Sequence, residues 1–579
     1  MKRKYWVAVI GVSTLALLAL PRVVGAQISS PAPERPKIDE NGVDIQAGYI
    51  HINEPGVRVG GDAVGALHYE RTYDNAWRSN FSNFLDFREE VESSYSSKSM
   101  SYGNVSRNEV NTAQGMMTIP MNDGHDWGAL RDGTVLDFFK VFVALTGAQQ
   151  QYINFLSSVT HPNGVVYTFH YKDSTVGGVF KTRVQSITSN AGYQLKFKYI
   201  TDVRSAQSPL SPDWEQISSV TAINNAVEYC DPIADSCQLS RNWPTVLYSA
   251  PQTLNGVTSS TTTAPGYGAI RYESAPDSYR IFNPDGTVYK SYTRAAITTV
   301  CIAYNCPGGE LGNRVTLATM GQTVTSYAYQ NAGDSLTVTV SRGAETRKYI
   351  SSRNAAGLSF IDENGRSVRF DEFAGNIVKI INPEGDYFTY SRDARGNVLQ
   401  EIHYGKSGGQ LNSVTRSFPA VCNWQNQRYC NSPESITDAA GKTTSYTYAA
   451  AHGGVLTELG PLVNGAASLK RYGYVQRYAR WLNATGAVVQ AASPIWLLSE
   501  ERLCRTGATT TSGCSGGSAD EVVTTYDYGP DVVGQVNNLM LRGKVVTADG
   551  VSQRTCYVYD AVGNRIAETA PAAGLASCA

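Results

Sequence analysis

The chain has 579 residues, enough to bury more than one hydrophobic core. Charged residues make up 17% of it, against roughly 25% in an ordinary soluble domain, and the formal net charge is −1. That balance excludes a nucleic-acid binder, whose phosphate contacts demand clustered Lys and Arg.

The first 26 residues read as a targeting segment. Lys2, Arg3 and Lys4 form a basic start, Trp6 to Leu20 is apolar and uncharged, and Pro21 breaks the run. Val24-Gly25-Ala26 supplies the small residues that a signal peptidase reads, so cleavage is expected between Ala26 and Gln27. The rival reading is an uncleaved anchor, but the apolar run is shorter than the roughly 20 residues that span a bilayer. The expected location is the periplasm or the medium, with no membrane span after cleavage.

Residues 27–42 are proline-rich and polar, a flexible lead-in, with structure expected from Val43. Residues 43–205 read as an N-terminal β domain. Leu67, Tyr69, Arg71 and Tyr73 share one face of a period-two strand. Asp132-Gly133, Asn163-Gly164, Asp285-Gly286, Asn364-Gly365 and Asp549-Gly550 supply the positive φ that tight hairpins need. Asp137 to Leu156 fits a helix or two strands equally. Residues 206–265 read as a loop-rich, cysteine-containing segment, with Thr253 to Pro265 as loop. A β-repeat region is expected over 266–579.

Ten cysteines fall in close pairs: Cys230 with Cys237, Cys301 with Cys306, Cys422 with Cys430, Cys504 with Cys514, and Cys556 with Cys578. An even count in an exported chain reads as disulfides, each between sequence neighbours. No pair has zinc-ligand spacing and no histidine lies close by, so no metal is expected there.

The second half repeats at a period near 20. Phe370-Asp-Glu-Phe-Ala-Gly-Asn-Ile377 is followed by Ser391-Arg-Asp-Ala-Arg-Gly-Asn-Val398, and Tyr559-Asp-Ala-Val-Gly-Asn-Arg-Ile566 closes the series. Such a unit is a strand pair that must stack on its neighbours to bury its face. The aspartate is expected to end the strand as an Asx-turn, and the glycine to take the left-handed conformation. The 35 tyrosines, against 16 phenylalanines, suit half-buried strand positions where the hydroxyl still finds a partner.

These motifs resemble the YD repeat of RHS proteins, and Gly65 to Tyr73 resembles the segment that precedes the repeats in that family. The resemblance implies an all-β fold, a long antiparallel sheet of hairpin repeats curled into a partial hollow shell. In that family the shell often encloses a toxic C-terminal cargo released by self-cleavage. This sequence stops at Ala579 directly after a repeat, without the core-like region or cargo, so a toxin activity is not carried over.

No nucleophile elbow, zinc-protease helix or dinucleotide loop is present. His51, His68, His161, His170, His403 and His452 read as surface or strand residues, and Asn122 to Asp126 as a solvated turn rather than a calcium loop. The expectation is a non-enzymatic exported shell or scaffold protein with no cofactor. The alternative is a cell-surface or secreted binding module for carbohydrate or a partner protein. A toxin cargo, a cell-surface carbohydrate and a partner protein are the partners considered.

Overall fold

The computed structural model describes residues 38–578 except 75–76, 81–86, 93–94, 98, 103–104, 109–116, 121–124, 147–148, 206–207, 209–210, 300–309, 334, 353–356, 362–363 and 374–375. The cleavage site at Ala26 and Gln27, the pair Cys301 and Cys306, and most of Asn122 to Asp126 lie outside the described residues. The fold is all-β. Its helical elements, among the described residues, are short 3-10 turns such as Pro212–Trp214.

Antiparallel pairing runs strand to strand from Met117–Pro120 to Arg565–Glu568 as one ribbon. Among the described residues no pairing joins its last strand to its first. Pairing continues through the expected boundaries near residues 205 and 265. Asp137 to Leu156 resolves into two strands, Val135–Thr146 and Gln149–Thr160. Thr253 to Pro265, expected as loop, is strand over Val257–Ala264, paired on both flanks. The physical reason is that β-branched Thr fits a pleated sheet as well as a loop.

One turn recurs along the ribbon. The amide of residue i donates to the oxygen of i+4, and the amide of i+3 donates back to the oxygen of i. Asp393 to Asn397, Asp438 to Lys442, Asn483 to Ala487 and Asp560 to Asn564 all close this way. The first side chain accepts the loop amides: Asp393 Oδ1 takes Arg395 N at 3.0 Å and Asn397 N at 2.8 Å, and Asp560 Oδ1 takes Gly563 N and Asn564 N at 2.8 Å. The fourth residue must be glycine, because φ there is positive (81° at Gly396, 97° at Gly563).

A set of strand tyrosines, of which Tyr559 directly precedes the turn aspartate Asp560, has an equally definite place. Tyr171, Tyr199, Tyr448, Tyr474 and Tyr559 each stand where the pairing register shifts by one residue. A bulge re-aims its side chain. The hydroxyl then donates to a backbone carbonyl of the preceding strand or its approach: Tyr171 to Leu156 O at 2.8 Å, Tyr448 to Pro433 O at 2.7 Å, Tyr559 to Leu541 O at 2.7 Å. Burial raises these hydroxyl pKa values, that of Tyr559 to about 12. At Asp393 the preceding residue is Arg392, whose guanidinium reaches Ile377 O at 3.2 Å in the same manner.

The ribbon curls back onto itself. Arg131 bonds Asn397 and Asn431, Asn190 bonds Ser493, Ala191 O bonds Asn538, and Asn224 bonds Ala561; the partners stand 266 to 347 residues apart. Antiparallel hairpins alternate between the two edges of a ribbon. Gln252–Leu254 continues Thr245–Tyr248 along one flank of Val257–Ala264, which shifts that alternation by one. The connections at 130–134, 161–165 and 189–192 therefore lie on one edge, and those at 393–397, 428–431 and 560–564 on the other. One edge of the first lap seats on the opposite edge of the second, so the sheet is a helical ribbon. About two dozen strands per lap, at roughly 4.8 Å each, give a circumference on the order of 110 Å and a diameter on the order of 35 Å.

Candidate functional site: the joint between the laps and the N-terminal hairpin

A separate sheet, β1 (His51–Val59), β2 (Leu67–Asp74) and β3 (Trp77–Ser79), covers part of one face of the ribbon. Its hairpin tip is the Gly-rich run from Gly60 to Gly65. Gly60 N donates to Val562 O at 2.8 Å, and Ala66 O accepts Tyr167 Oη at 3.1 Å. Gly65 packs against Ser189 and Ala191, where a Cβ would lie 2.6 Å from the Ser189 hydroxyl. The tip is thus wedged where the second lap meets the first. One apolar cluster joins all three parts: Val59 and Leu67 from the hairpin, Ile187 and Leu195 from the first lap, Leu539 and Tyr557 from the second.

Residues before β1 extend the contact. Asn41 O accepts Tyr292 Oη at 2.6 Å, and its carboxamide donates to Tyr327 Oη at 2.9 Å. Asp39 to Asn41, assigned to the flexible lead-in, is folded: Asp39 Oδ1 caps the Asn41 and Val43 amides at 3.0 and 2.9 Å. Local side-chain capping orders these residues despite their polar composition.

Beneath the hairpin lies a buried ion pair. Arg71 Nε donates to Glu54 Oε2 at 2.6 Å, and the glutamate side chain is fully shielded from water. Thr262 donates to the other oxygen of Glu54, and Arg71 Nη2 lies 3.3 Å from Thr262 Oγ1. The guanidinium rests 3.5 Å over Tyr248 and 4.9 Å from Trp77. Both charges are compensated, so the pair fixes the hairpin's register on the ribbon rather than offering a free acid or base. Next to the wedge, a cavity of about 300 Å³ is bounded by Arg58, Asp62, Tyr528, Leu539, Tyr557 and Arg565.

The structure joins Cys230 to Cys237, Cys422 to Cys430, Cys504 to Cys514 and Cys556 to Cys578. The first two loops sit at the joint. Ala561 and Val562 pack against the cluster of Ile223, Cys230 and Trp243, and the glycine of the 130–134 turn abuts the backbone of Gln427 and Arg428. Cys504–Cys514 closes a connection on the opposite edge.

Two histidines read as surface or strand residues have specific partners. His452 is buried, accepts Gly454 N at 3.1 Å, and lies against Tyr474 and Trp496. Burial pulls its pKa down to about 4. His403 Nε2 lies 2.8 Å from Asp386 Oδ2, which holds that carboxyl below its usual range. Sequence spacing carried no signal for either, because both contacts depend on strand register. The described residues hold no group of three or more His, Cys, Asp or Glu placed for a metal. They include no helix long and apolar enough to cross a membrane.

No family model matches the chain, and no curated relative matches it. Among solved structures it is similar to TcdB2-TccC3 without its hypervariable C-terminal region, at 8% identity and a TM-score of 0.28, over 93% of this chain and 37% of that one. It is similar to TcdB2-TccC3-Cdc42 at 9% identity and a TM-score of 0.25, over 76% and 26%. TcdB2-TccC3-TEV follows at 11% identity and 0.24, over 79% and 33%. The chain spans well under half the length of each. At these TM-scores the likeness carries no argument about this chain.

Proposed function

We propose that this chain is wall material: a length of hollow β-repeat shell or scaffold, exported, and without a catalytic step of its own. The observation behind this reading is the return of the ribbon onto itself through edge-to-edge contacts between residues 266 to 347 positions apart. A sheet that closes by stacking laps surrounds a space, whereas a flat sheet or sandwich fills it. The YD-type turn, repeated along the ribbon, is the local device that sets the strand spacing and stacking. Asn190, Asn224, Asn431 and Asn538 at the joint are matched to side-chain or backbone oxygens across it, which suits a structural seam. The test is electron microscopy of the purified mature chain. The expected image is a ring-shaped particle with a central void; a solid particle of the same mass refutes the shell. Recovery of the protein from the periplasm or medium with Gln27 at its N-terminus checks the export component.

A further inference from the structure

We propose that the Cys230–Cys237 disulfide is a redox-sensitive latch that holds the end of the second lap onto the first. The bridge closes a loop that turns three carbonyls and one carboxylate toward the strands beneath. Pro232 O accepts Ser186 Oγ at 2.7 Å and Lys196 Nζ at 2.9 Å, and Asp231 O takes the same ammonium at 3.0 Å. Ala234 O accepts Gln185 Nε2 at 3.0 Å. The Asp235 carboxylate holds Lys172 Nζ at 2.6 Å and Arg183 Nη2 at 3.1 Å. Arg183 and Lys196 are almost fully buried, so a loop that leaves takes both carbonyl acceptors from Lys196 and the Asp235 carboxylate from Arg183, which keeps the carbonyls of Thr201 and Trp214.

The connection that carries this loop, together with the end of strand Ile217–Asn224, reaches the second lap. Ile223, Cys230 and Trp243 form an apolar cluster against Ala561 and Val562, and Asn224 Nδ2 donates to Ala561 O at 3.0 Å. Val562 O in turn receives Gly60 N from the wedge. Opening the loop therefore removes support from the 560–564 turn and from the hairpin tip beyond it. Cys230 is 1% exposed while Cys237 is half-buried, so an incoming thiolate meets Cys237 Sγ first and Cys230 leaves as the thiolate. A dithiol reductant supplies two electrons and two protons, becoming a disulfide as Cys230 and Cys237 become thiols.

The test is hydrogen exchange by mass spectrometry on the full mature chain. The variant C230S/C237S is expected to exchange at least tenfold faster both in 225–243 and in 558–565. Residues 393–397, elsewhere on the joint, keep the wild-type rate, and C504S/C514S leaves 558–565 unchanged. Oxidised wild-type protein titrated with dithiothreitol gives the same reading without mutation: exchange at 558–565 rises with the fraction of Cys237 that becomes alkylatable. Faster exchange confined to 225–243, or none in either segment once Cys237 is reduced, overturns the latch. The latch concerns the joint itself, so its failure leaves the shell reading standing.

Discussion

The carboxamide of Asn538 donates to the backbone oxygen of Ala191 at 2.7 Å, although 347 residues separate the two. Both are buried. Replacing Asn538 with Ala leaves that carbonyl without a partner in a place water does not reach. The expected loss is about 1–3 kcal/mol, read as a lower denaturation midpoint. A change within about 0.5 kcal/mol, the size of an ordinary surface substitution, shows that the contact does not bear on lap closure.

The Glu54–Arg71 pair makes a second prediction. Either single alanine variant strands a buried charge and is expected to cost about 3–5 kcal/mol. The double variant E54A/R71A, which buries no unpaired charge, is expected to lie closer to wild type than the sum of the singles. A double-mutant cycle by chemical denaturation measures the coupling. Additive singles contradict a compensated pair.

Two glycines of the same turn type separate backbone cost from docking cost. Gly164 has φ 87° and Gly286 has φ 83°. A Cβ on Gly164 meets Pro494 O at 2.7 Å from the other lap, while one on Gly286 meets open space. Gly286→Ala is expected to cost about 1–2 kcal/mol, the left-handed penalty alone. Gly164→Ala adds a backbone clash and is expected to cost more. Equal losses in melting experiments at both sites argue that the 161–165 turn does not seat on Pro494.

His452 sets a pH dependence. Its folded pKa, about 4, lies below the ordinary 6.5 because burial disfavours the charged ring. Between those values the unfolded chain binds more protons, so stability is expected to fall as pH drops from about 6.5 toward 4. His452→Gln is expected to flatten that part of the curve. NMR titration of the ring that gives a value near 6.5 contradicts its burial.

Lys196 works in the opposite pH range. Burial pulls its ammonium down to about 8 from 10.5. The unfolded chain holds the proton more tightly, so the stability cost is present in full below pH 8 and is relieved as pH rises from 8 to 10.5. Lys196→Met is expected to remove that rise, as measured by urea unfolding at pH 7 and pH 10.

The local grammar of this protein was legible in its sequence. Asp560 and Gly563 announce their turn because an aspartate accepts nearby amides and only glycine takes the positive φ cheaply; neither needs a distant partner. The spacing of Cys504 and Cys514 is also local, and the structure joins those two. Period-two runs gave the strands but not the Ser/Thr-rich one at Val257–Ala264, whose composition fits loop and strand alike. Nothing in the spacing of Gly60 and Gly65 marks their use as a wedge. What only the tertiary structure decided was which turns meet. Whether the 161–165 turn faces Pro494 or open water depends on how far the ribbon curls per strand, a small angle summed over about two dozen strands. No single residue encodes that sum, so Asn538 and Ala191 carry no mark of one another until the sheet has come full circle.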